Sequence, residues 1–276
     1  MEKINRIVHN IFNKIEDRHL ESHLALLESR ALSGLSFGIS SFDKSIGGIP
    51  HGGVTFILGP ADSGKTLLLL HILTHSVINQ KKTALLFSCA TRASILGERM
   101  LCSVGNFDLD RTIKGRFPNK IWPDISSTCM RLSETSLFLE DNDGHGFTPV
   151  MIEERIENLR TELAAKKQKL DLIFIDGFEQ LEEGESLNNS EYVSRLRAIA
   201  IKHNMAIILS SRIGRVCRNV HKKKHCTRAE LSESHATVYL AWIQHEPVLH
   251  ASLYYGNYSS CGVLSVPFDP KTGRIL

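Results

Sequence analysis

The chain has 276 residues, of which 42% are hydrophobic and 23% charged, and its formal net charge is +3. This length can bury one large α/β domain, and the small net charge provides no overall basic field that would attract nucleic acid. No apolar run approaches the length that spans a membrane, and the 6 scattered cysteines do not resemble a disulfide framework, so we expect a cytoplasmic protein in a reducing compartment.

The chain opens with a pattern that predicts a helix. Apolar residues recur at helical spacing between residues 4 and 27, with charged residues between them, so we expect an amphipathic helix within residues 1–32. Its apolar face could pack on its own domain or dock on a neighbouring subunit, and the spacing does not distinguish these two arrangements. A second unit is expected over residues 33–276, beginning with a linker and a short helix that ends before Gly47.

Residues 59 to 66 read Gly-Pro-Ala-Asp-Ser-Gly-Lys-Thr and match the G-x-x-x-x-G-K-[ST] phosphate-binding pattern. The apolar β-rich run before them and the leucine-rich run after them predict the strand and the helix that such a loop needs. The glycines let backbone N–H groups face a triphosphate, Lys65 would reach its β- and γ-phosphates, and Thr66 would ligate Mg²⁺. We therefore predict an ATP site formed by Gly59, Pro60, Ala61, Asp62, Ser63, Gly64, Lys65 and Thr66.

Apolar strands alternate with helices through the rest of the chain. Further strands are predicted over residues 83–88, 136–140, 172–176 and 205–210, with later ones near 238–242, 249–255 and 263–266. Helices are predicted over residues 92–104, 149–169 and 188–203, whereas the polar stretch up to residue 134 is predicted to be irregular. This alternation is typical of an α/β fold with a mostly parallel central sheet covered by helices on both faces.

An acidic residue ends the strand predicted over residues 172–176. The carboxyl ends of parallel strands meet at one edge of a sheet, so Asp176 would lie beside the phosphate loop. In that position it would hold Mg²⁺ through a water molecule, while Thr66 would ligate the same ion. The alternative is a turn-forming aspartate before Gly177.

In this order, the segments resemble a RecA-type ATPase core, and in particular the C-terminal domain of the replicative helicase DnaB. The resemblance covers residues 33 to 268 and rests on the phosphate loop, on Gly47-Gly48 before it, on Phe147-Thr148-Pro149 at a helix start and on Asp176. It implies a RecA-like P-loop fold that binds ATP and Mg²⁺ between the subunits of a hexameric ring and holds single-stranded DNA in the channel. It also implies self-association through the N-terminal helix and a replication partner protein. RadA-like and KaiC-like ATPases share the glycine-rich entry and remain alternatives.

Three positions depart from that family. Ala90 stands where the family has a glutamate that activates water, and an alanine cannot accept a proton. Ser211 stands where the family has a γ-phosphate-sensing glutamine, and residues 256–258 lack the family's basic finger. Glu98 is too far along the next helix to replace the missing glutamate, while Glu179 could either substitute for it or simply start a helix. We predict retained nucleotide binding with weak or absent hydrolysis.

Basic residues crowd the segment after the strand predicted over residues 205–210. RecA-type cores place a DNA-facing loop here, and such a cluster would contact phosphates with little sequence preference; a solvated charge run is the alternative. The predicted nucleic-acid contacts are Arg212, Arg215, Arg218, Lys222, Lys223, Lys224 and Arg228. Two cysteines and two histidines of this segment lack the spacing of a zinc finger, so zinc is not favoured: Cys217, His221, His225 and Cys226.

The leading hypothesis is a DnaB-type helicase-like protein that acts on single-stranded DNA in replication, in which Lys65 and Asp176 carry the catalytic roles. Two alternatives stay open. One is a non-catalytic adaptor of a helicase that uses ATP to set its shape, which the missing glutamate favours. The other is a KaiC-like signalling ATPase that does not bind DNA.

Overall fold

The computed structural model describes residues 34–115, 117–141, 146–181, 189–212, 236–241, 247–255 and 259–276. The predicted N-terminal helix lies outside these residues, so that helix and the division of the chain at residue 33 stay predictions. Among the described residues, no helix is both long enough and apolar enough to cross a membrane.

Helices and strands alternate along the described chain, as the sequence predicts. The helices are α1 Ser40–Ile46, α2 Lys65–Thr74, α3 Ala93–Gly105, α4 Leu109–Ile113, α5 Trp122–Ser133, α6 Pro149–Ala165 and α7 Asn189–His203. The strands are β1 Gly53–Gly59, β2 Ala84–Ser88, β3 Leu137–Asp141, β4 Leu172–Asp176, β5 Ala206–Arg212, β6 Ala236–Ala241, β7 Val248–Tyr255, β8 Ser259–Asp269 and β9 Arg274–Ile275. A π-helical turn and two 3-10 turns complete the set: His75–Asn79, Asn119–Ile121 and Phe178–Gln180.

The described strands form one sheet in the order β3-β2-β4-β5-β1-β6-β7-β8-β9. The strands from β3 to β6 in this order pair in parallel, and the pairs from β6 to β9 are antiparallel. The prediction of a mostly parallel sheet is therefore confirmed. Because the carboxyl ends of the parallel strands meet at one edge, the ends of β1, β4 and β5 lie next to one another there.

Helices cover both faces of the parallel part of the sheet. All five residues of β4 are buried. Phe174 packs in one core with Leu69 of α2, and Ile173 packs in a second core with Leu196 of α7. Burying one such side chain contributes roughly 1.5–3 kcal/mol. The two cores explain why this strand is a continuous apolar run rather than an alternating one.

The segment between α3 and β3 is helical, so the prediction of an irregular stretch is wrong. It contains α4 and α5, and α5 has a proline in its first turn and buries only Ile125 and Thr128. Ile125 packs with Cys102 and Phe107 in a small separate core. Trp122 and Met130 of α5 are apolar but exposed, so its apolar residues do not all lie on one buried face, which is the pattern by which helices are recognised.

Two element ends also differ from the predicted ones. α6 ends at Ala165, and Lys167 then adopts a left-handed φ of 55°, so the basic run after Ala165 follows the helix instead of forming its last turn. β5 continues to Arg212. Arg212 is therefore part of the sheet and not of the segment that follows it.

Candidate nucleotide-binding site

The phosphate loop connects the end of β1 to the start of α2. Gly64, immediately before α2, has φ 84° and Asp62 has φ 59°, so two residues of the loop adopt the left-handed backbone conformation. A Cβ atom on Gly59 would lie 2.4 Å from Oγ of Ser63, which shows how closely the loop folds back on its own start. A backbone curled in this way at a helix N-terminus directs N–H groups toward one point and favours an anion there.

The side chain of Ser63 indicates what the loop can hold. Ser63 is 4% exposed, and its Oγ has no hydrogen-bond partner within the part of the chain that the structure describes. A buried hydroxyl without a partner costs roughly 1–3 kcal/mol. A phosphate oxygen in the loop would accept its hydrogen bond, so the residues of the loop fit a phosphate group.

Lys65 lies across the loop. Its Nζ donates a 2.6 Å hydrogen bond to the carbonyl oxygen of Pro60. Burial lowers the pKa of Lys65; the negative charge of Glu179 opposes this, whereas the positive charge of Arg212 adds to it. The ammonium group is therefore partly desolvated and close enough to both side chains for their charges to act on it. Such a group gains from a polyanionic ligand that restores the lost solvation.

Thr66 and Asp176 join the phosphate loop to β4. Oγ1 of Thr66 lies 3.1 Å and 3.2 Å from the two carboxylate oxygens of Asp176. Asp176 is 1% exposed, and burial raises its pKa, while hydrogen bonds from Ser210 and Thr66 act in the opposite direction. Mg²⁺ prefers oxygen ligands such as a hydroxyl and a carboxylate. Among the described residues, no group of three or more His, Cys, Asp or Glu side chains is arranged to hold a metal ion by itself. Thr66 and Asp176 therefore fit a Mg²⁺ ion that they would hold together with phosphate oxygens. The positive charge of the ion would offset the negative charge of the phosphates.

Ser210, near the end of β5, holds Asp176 in place, and sequence reasoning missed it. Its hydroxyl donates a 2.6 Å hydrogen bond to Oδ1 of Asp176 and accepts a 2.9 Å bond from the N–H of Gly177. The interpretation from sequence instead singled out the next residue, Ser211, which is only partly buried. The signal that could have identified Ser210 is its strand position, because parallel pairing sets it opposite Asp176.

Ala90 follows the end of β2 and lies against the same aspartate. The backbone N–H groups of Cys89 and Ala90 donate to the carbonyl oxygen of Asp176 at 2.9 Å and 3.2 Å. A Cβ atom on Gly177 would lie 2.4 Å from Cβ of Ala90, so these two positions are in close contact. Ala90 is exposed and carries no group that could accept a proton.

Glu179 and Arg212 form a pair at the same edge of the sheet. Oε2 of Glu179 accepts a 3.0 Å hydrogen bond from the backbone N–H of Arg212, and Oε1 lies 3.9 Å from Nε of the same residue. In the register of β1 and β5, Arg212 is the partner of Gly59, the first residue of the phosphate loop. Glu179 belongs to a 3-10 turn that follows β4, so it is not the start of an α-helix.

The structure brings the predicted phosphate loop and Asp176 together at one site. It also places Arg212 there, although Arg212 was predicted as a nucleic-acid contact. The other predicted nucleic-acid contacts lie outside the described residues: Arg215, Arg218, Lys222, Lys223, Lys224 and Arg228. The Cys217, His221, His225 and Cys226 cluster and residues 256–258 lie outside them as well.

A mostly parallel sheet, a phosphate loop after β1 and a buried aspartate at the same edge define a RecA-like ATPase fold. A profile of the DnaB-like helicase C terminal domain family matches residues 34–238, which is most of the chain. The chain belongs to this family, so the resemblance stated from the sequence is confirmed.

Several curated proteins are similar to the chain at low identity. The replicative DNA helicase DnaC of Bacillus subtilis (strain 168) is 23% identical over 227 residues, as is the replicative DNA helicase DnaB of Geobacillus stearothermophilus. The replicative DNA helicase DnaB of Nostoc sp. (strain PCC 7120 / SAG 25.82 / UTEX 2576) is 24% identical over 210 residues. The first two matches each cover 78% of this chain and 48% of the relative, and the third covers 75% of this chain and 22% of the relative. The chain therefore spans about half the length of the first two relatives and less of the third.

Two solved structures share the fold. One is an ATPase domain that superposes with a TM-score of 0.75 at 15% identity, over 94% of this chain and 97% of that one. The other is a DnaB-like replicative helicase, described with its interactions with primase, which superposes with the same TM-score and identity, over 94% of this chain and 66% of that one. At this identity the likeness establishes the RecA-like fold, which confirms the predicted fold class.

Proposed function

We propose that the chain binds ATP with Mg²⁺ and contacts single-stranded DNA in DNA replication, and that it hydrolyses ATP slowly or not at all. The contact between Thr66 and Asp176 is the main support, because this hydrogen bond joins the phosphate loop to the acidic strand end and brings together two oxygen groups that suit Mg²⁺. In this proposal Lys65 holds the β- and γ-phosphates, and the loop from Gly59 to Thr66 encloses them. Family membership supports the DNA and replication parts.

The residue at position 90 supports slow hydrolysis. A general base typically contributes 10²–10⁴-fold to the rate of such a step, on the order of what an alanine would forfeit. Ala90 stands against Asp176, where the family pattern has a carboxylate. Binding does not depend on that carboxylate, since the loop, Lys65 and Asp176 are all present. The expected protein therefore binds nucleotide well and turns it over poorly.

The proposed nucleic-acid contacts rest on the charge of the segment that follows Arg212. It contains six further arginines and lysines between residues 215 and 228. Contacts of this kind bind phosphates, so affinity should fall steeply as salt rises and depend little on base sequence. Assembly into a hexameric ring through the N-terminal helix, and contact with a replication partner protein, belong to the same proposal.

The first experiment measures nucleotide binding and turnover separately. A fluorescent ATP analogue is titrated with and without Mg²⁺ into the parent chain, Lys65→Ala and the control Lys44→Ala, which changes an exposed lysine on α1. We expect Mg²⁺-dependent binding in the parent and the control and its loss in Lys65→Ala. No binding by the parent chain would contradict the proposal.

Turnover and DNA binding then separate the candidate functions. Phosphate release is followed with and without single-stranded DNA, and DNA binding is measured for the parent and for an Arg215→Glu, Lys223→Glu variant. Rapid turnover that DNA stimulates would show an active motor and contradict slow hydrolysis. ATP binding without DNA binding would instead support the KaiC-like alternative.

A second candidate is a non-catalytic adaptor that uses ATP to set its shape. The specific observation that favours it is Ala90, because an adaptor needs the phosphate loop but not the base. Its distinguishing result is ATP binding that strengthens association with a helicase while phosphate release stays undetectable.

A further inference from the structure

Glu179 supplies a carboxylate at the nucleotide site that the family pattern does not assign. Its side chain is 26% exposed, so it is partly sheltered but still reached by water. The backbone N–H of Arg212 binds Oε2, and Nε of Arg212 lies 3.9 Å from Oε1. These two contacts fix the carboxylate at the end of β5 and leave Oε1 without a short hydrogen bond among the described residues.

The position of this carboxylate relative to the phosphate loop follows from strand register. Arg212 pairs with Gly59, so Glu179 contacts the strand partner of the first residue of the loop. Burial lowers the pKa of Lys65, and Glu179 is the strongest charge that opposes this effect. Burial raises the pKa of Asp176, and the charge of Glu179 adds to that rise. Glu179 thus acts on both residues that are proposed to hold the phosphates and the metal.

Two other positions of the described site do not offer a free base. Ala90 cannot accept a proton, and Asp176 is buried and committed to hydrogen bonds with Thr66 and Ser210. Glu179 is a further carboxylate of the described site, and its charge acts on both Lys65 and Asp176. It reaches the site from the turn after β4, whereas the family's glutamate follows β2.

We propose that Glu179 is the general base for the ATP hydrolysis that this chain retains, an inference that rests on the proposed function. The carboxylate takes a proton from water while the water oxygen forms a bond to the γ-phosphorus. The bond between that phosphorus and the β–γ bridging oxygen breaks, and its electron pair leaves with ADP. The proton on Glu179 then passes to solvent. Arg212 is a positioning residue, because it holds the carboxylate through its N–H and its guanidinium.

The test compares Glu179→Gln with the parent chain. Glutamine keeps a carbonyl oxygen that can accept the N–H of Arg212, but it cannot take a proton. We expect single-turnover hydrolysis to fall by about 10²-fold, the lower end of the usual contribution of a base, with affinity for the ATP analogue unchanged. The matched control is Glu98→Gln on α3, which removes another carboxylate and should leave both quantities unchanged.

A second readout separates a base from a structural residue. Glu179→Ala opens space and removes the carboxylate, so added formate should restore part of the lost rate if Glu179 transfers a proton. Turnover that is equal in Glu179→Gln and the parent would overturn the inference, as would lost ATP affinity in Glu179→Gln or no effect of formate. A parent chain that binds ATP and releases no phosphate would overturn this inference alone, whereas a parent chain that does not bind ATP would overturn the proposed function as well.

Discussion

Ser210 and Asp176 are bound to each other across two neighbouring strands. The serine hydroxyl donates to Oδ1 of the aspartate at 2.6 Å, and the two residues are also partners in the register of β4 and β5. The same hydroxyl accepts the N–H of Gly177, so it fixes both the carboxylate and the turn after it. The orientation of the proposed metal-binding carboxylate is therefore set by β5 as much as by β4.

Replacing this serine should cost stability. Ser210→Ala removes a hydrogen bond to an acidic group and leaves the N–H of Gly177 without its partner, so we expect the free energy of unfolding to fall by about 2 kcal/mol. Urea denaturation measures this change. Ser211→Ala, one residue further along β5 and only partly buried, is the control and should change the free energy by less than about 0.5 kcal/mol. Equal losses in the two variants would show that the bond to Asp176 is not the cause.

Two glycine-to-alanine substitutions should change the stability of the folded protein in opposite directions. Gly64 has φ 84°, and a Cβ atom there would lie 2.5 Å from Cδ2 of Leu249, so Gly64→Ala should destabilise the protein by about 1–3 kcal/mol. Gly97 lies inside α3, and a Cβ atom there meets nothing within 4 Å, so Gly97→Ala should stabilise by about 1 kcal/mol. Thermal unfolding of both variants checks the pair. A stabilised Gly64→Ala would contradict the left-handed conformation of the loop.

Restoring a carboxylate at position 90 should raise ATP turnover. Ala90 is exposed and follows the strand that lies next to β4, so the longer side chain of Ala90→Glu can extend toward the solvent side of the site. We expect phosphate release to increase by at least 10-fold, since a well-placed base contributes about 10²–10⁴-fold. Ala90→Gln is the control because it adds the same bulk without the basic group. An equal rate in the two variants would show that position 90 does not reach the reacting water.

The stability of the fold should fall in mild acid because of His71. Burial lowers the pKa of His71, the hydrogen bond with the carbonyl of Gly38 opposes this, and the charges of His75 and Arg274 add to the lowering. The unfolded chain therefore takes up a proton near pH 6.5 that the folded chain takes up only at lower pH, so stability falls as pH decreases below 6.5. One such proton contributes at most about 1.4 kcal/mol per pH unit.

The measurement is the free energy of unfolding at pH 7.5 and pH 5.5 for the parent chain and His71→Gln. Glutamine retains an N–H donor for the carbonyl of Gly38 but does not titrate. The variant should lose less stability between the two pH values than the parent. An equal loss would assign the acid sensitivity to other groups.

Local patterns in the sequence predicted the core of the site. The phosphate loop needs a strand, a glycine turn and a helix in one continuous segment, and its fit to that segment could be judged without knowing the rest of the fold. Asp176 could be added because a parallel sheet brings its strand ends together. The structure places both at one edge, with Thr66 within 3.2 Å of the aspartate.

The features that sequence reasoning missed depend on contacts between distant segments. Ser210 has no local signature, since its role follows from the register of β5 with β4. Helix α5 was missed because it buries only Ile125 and Thr128, while its apolar residues Trp122 and Met130 are exposed. Arg212 was predicted as part of a basic loop because charge runs do not show where a strand ends.

Arg212 is the partner of Gly59 in the sheet, and the chain continues from it into the basic segment. A strand end shared in this way would connect the two proposed binding equilibria, that of nucleotide and that of nucleic acid, and thermodynamic linkage makes any coupling between them reciprocal. If nucleic acid on the basic segment changes the dissociation constant for nucleotide by some factor, nucleotide must change that for nucleic acid by the same factor. The coupling free energy of this strand is therefore a single quantity, which can be obtained from either titration and checked against the other.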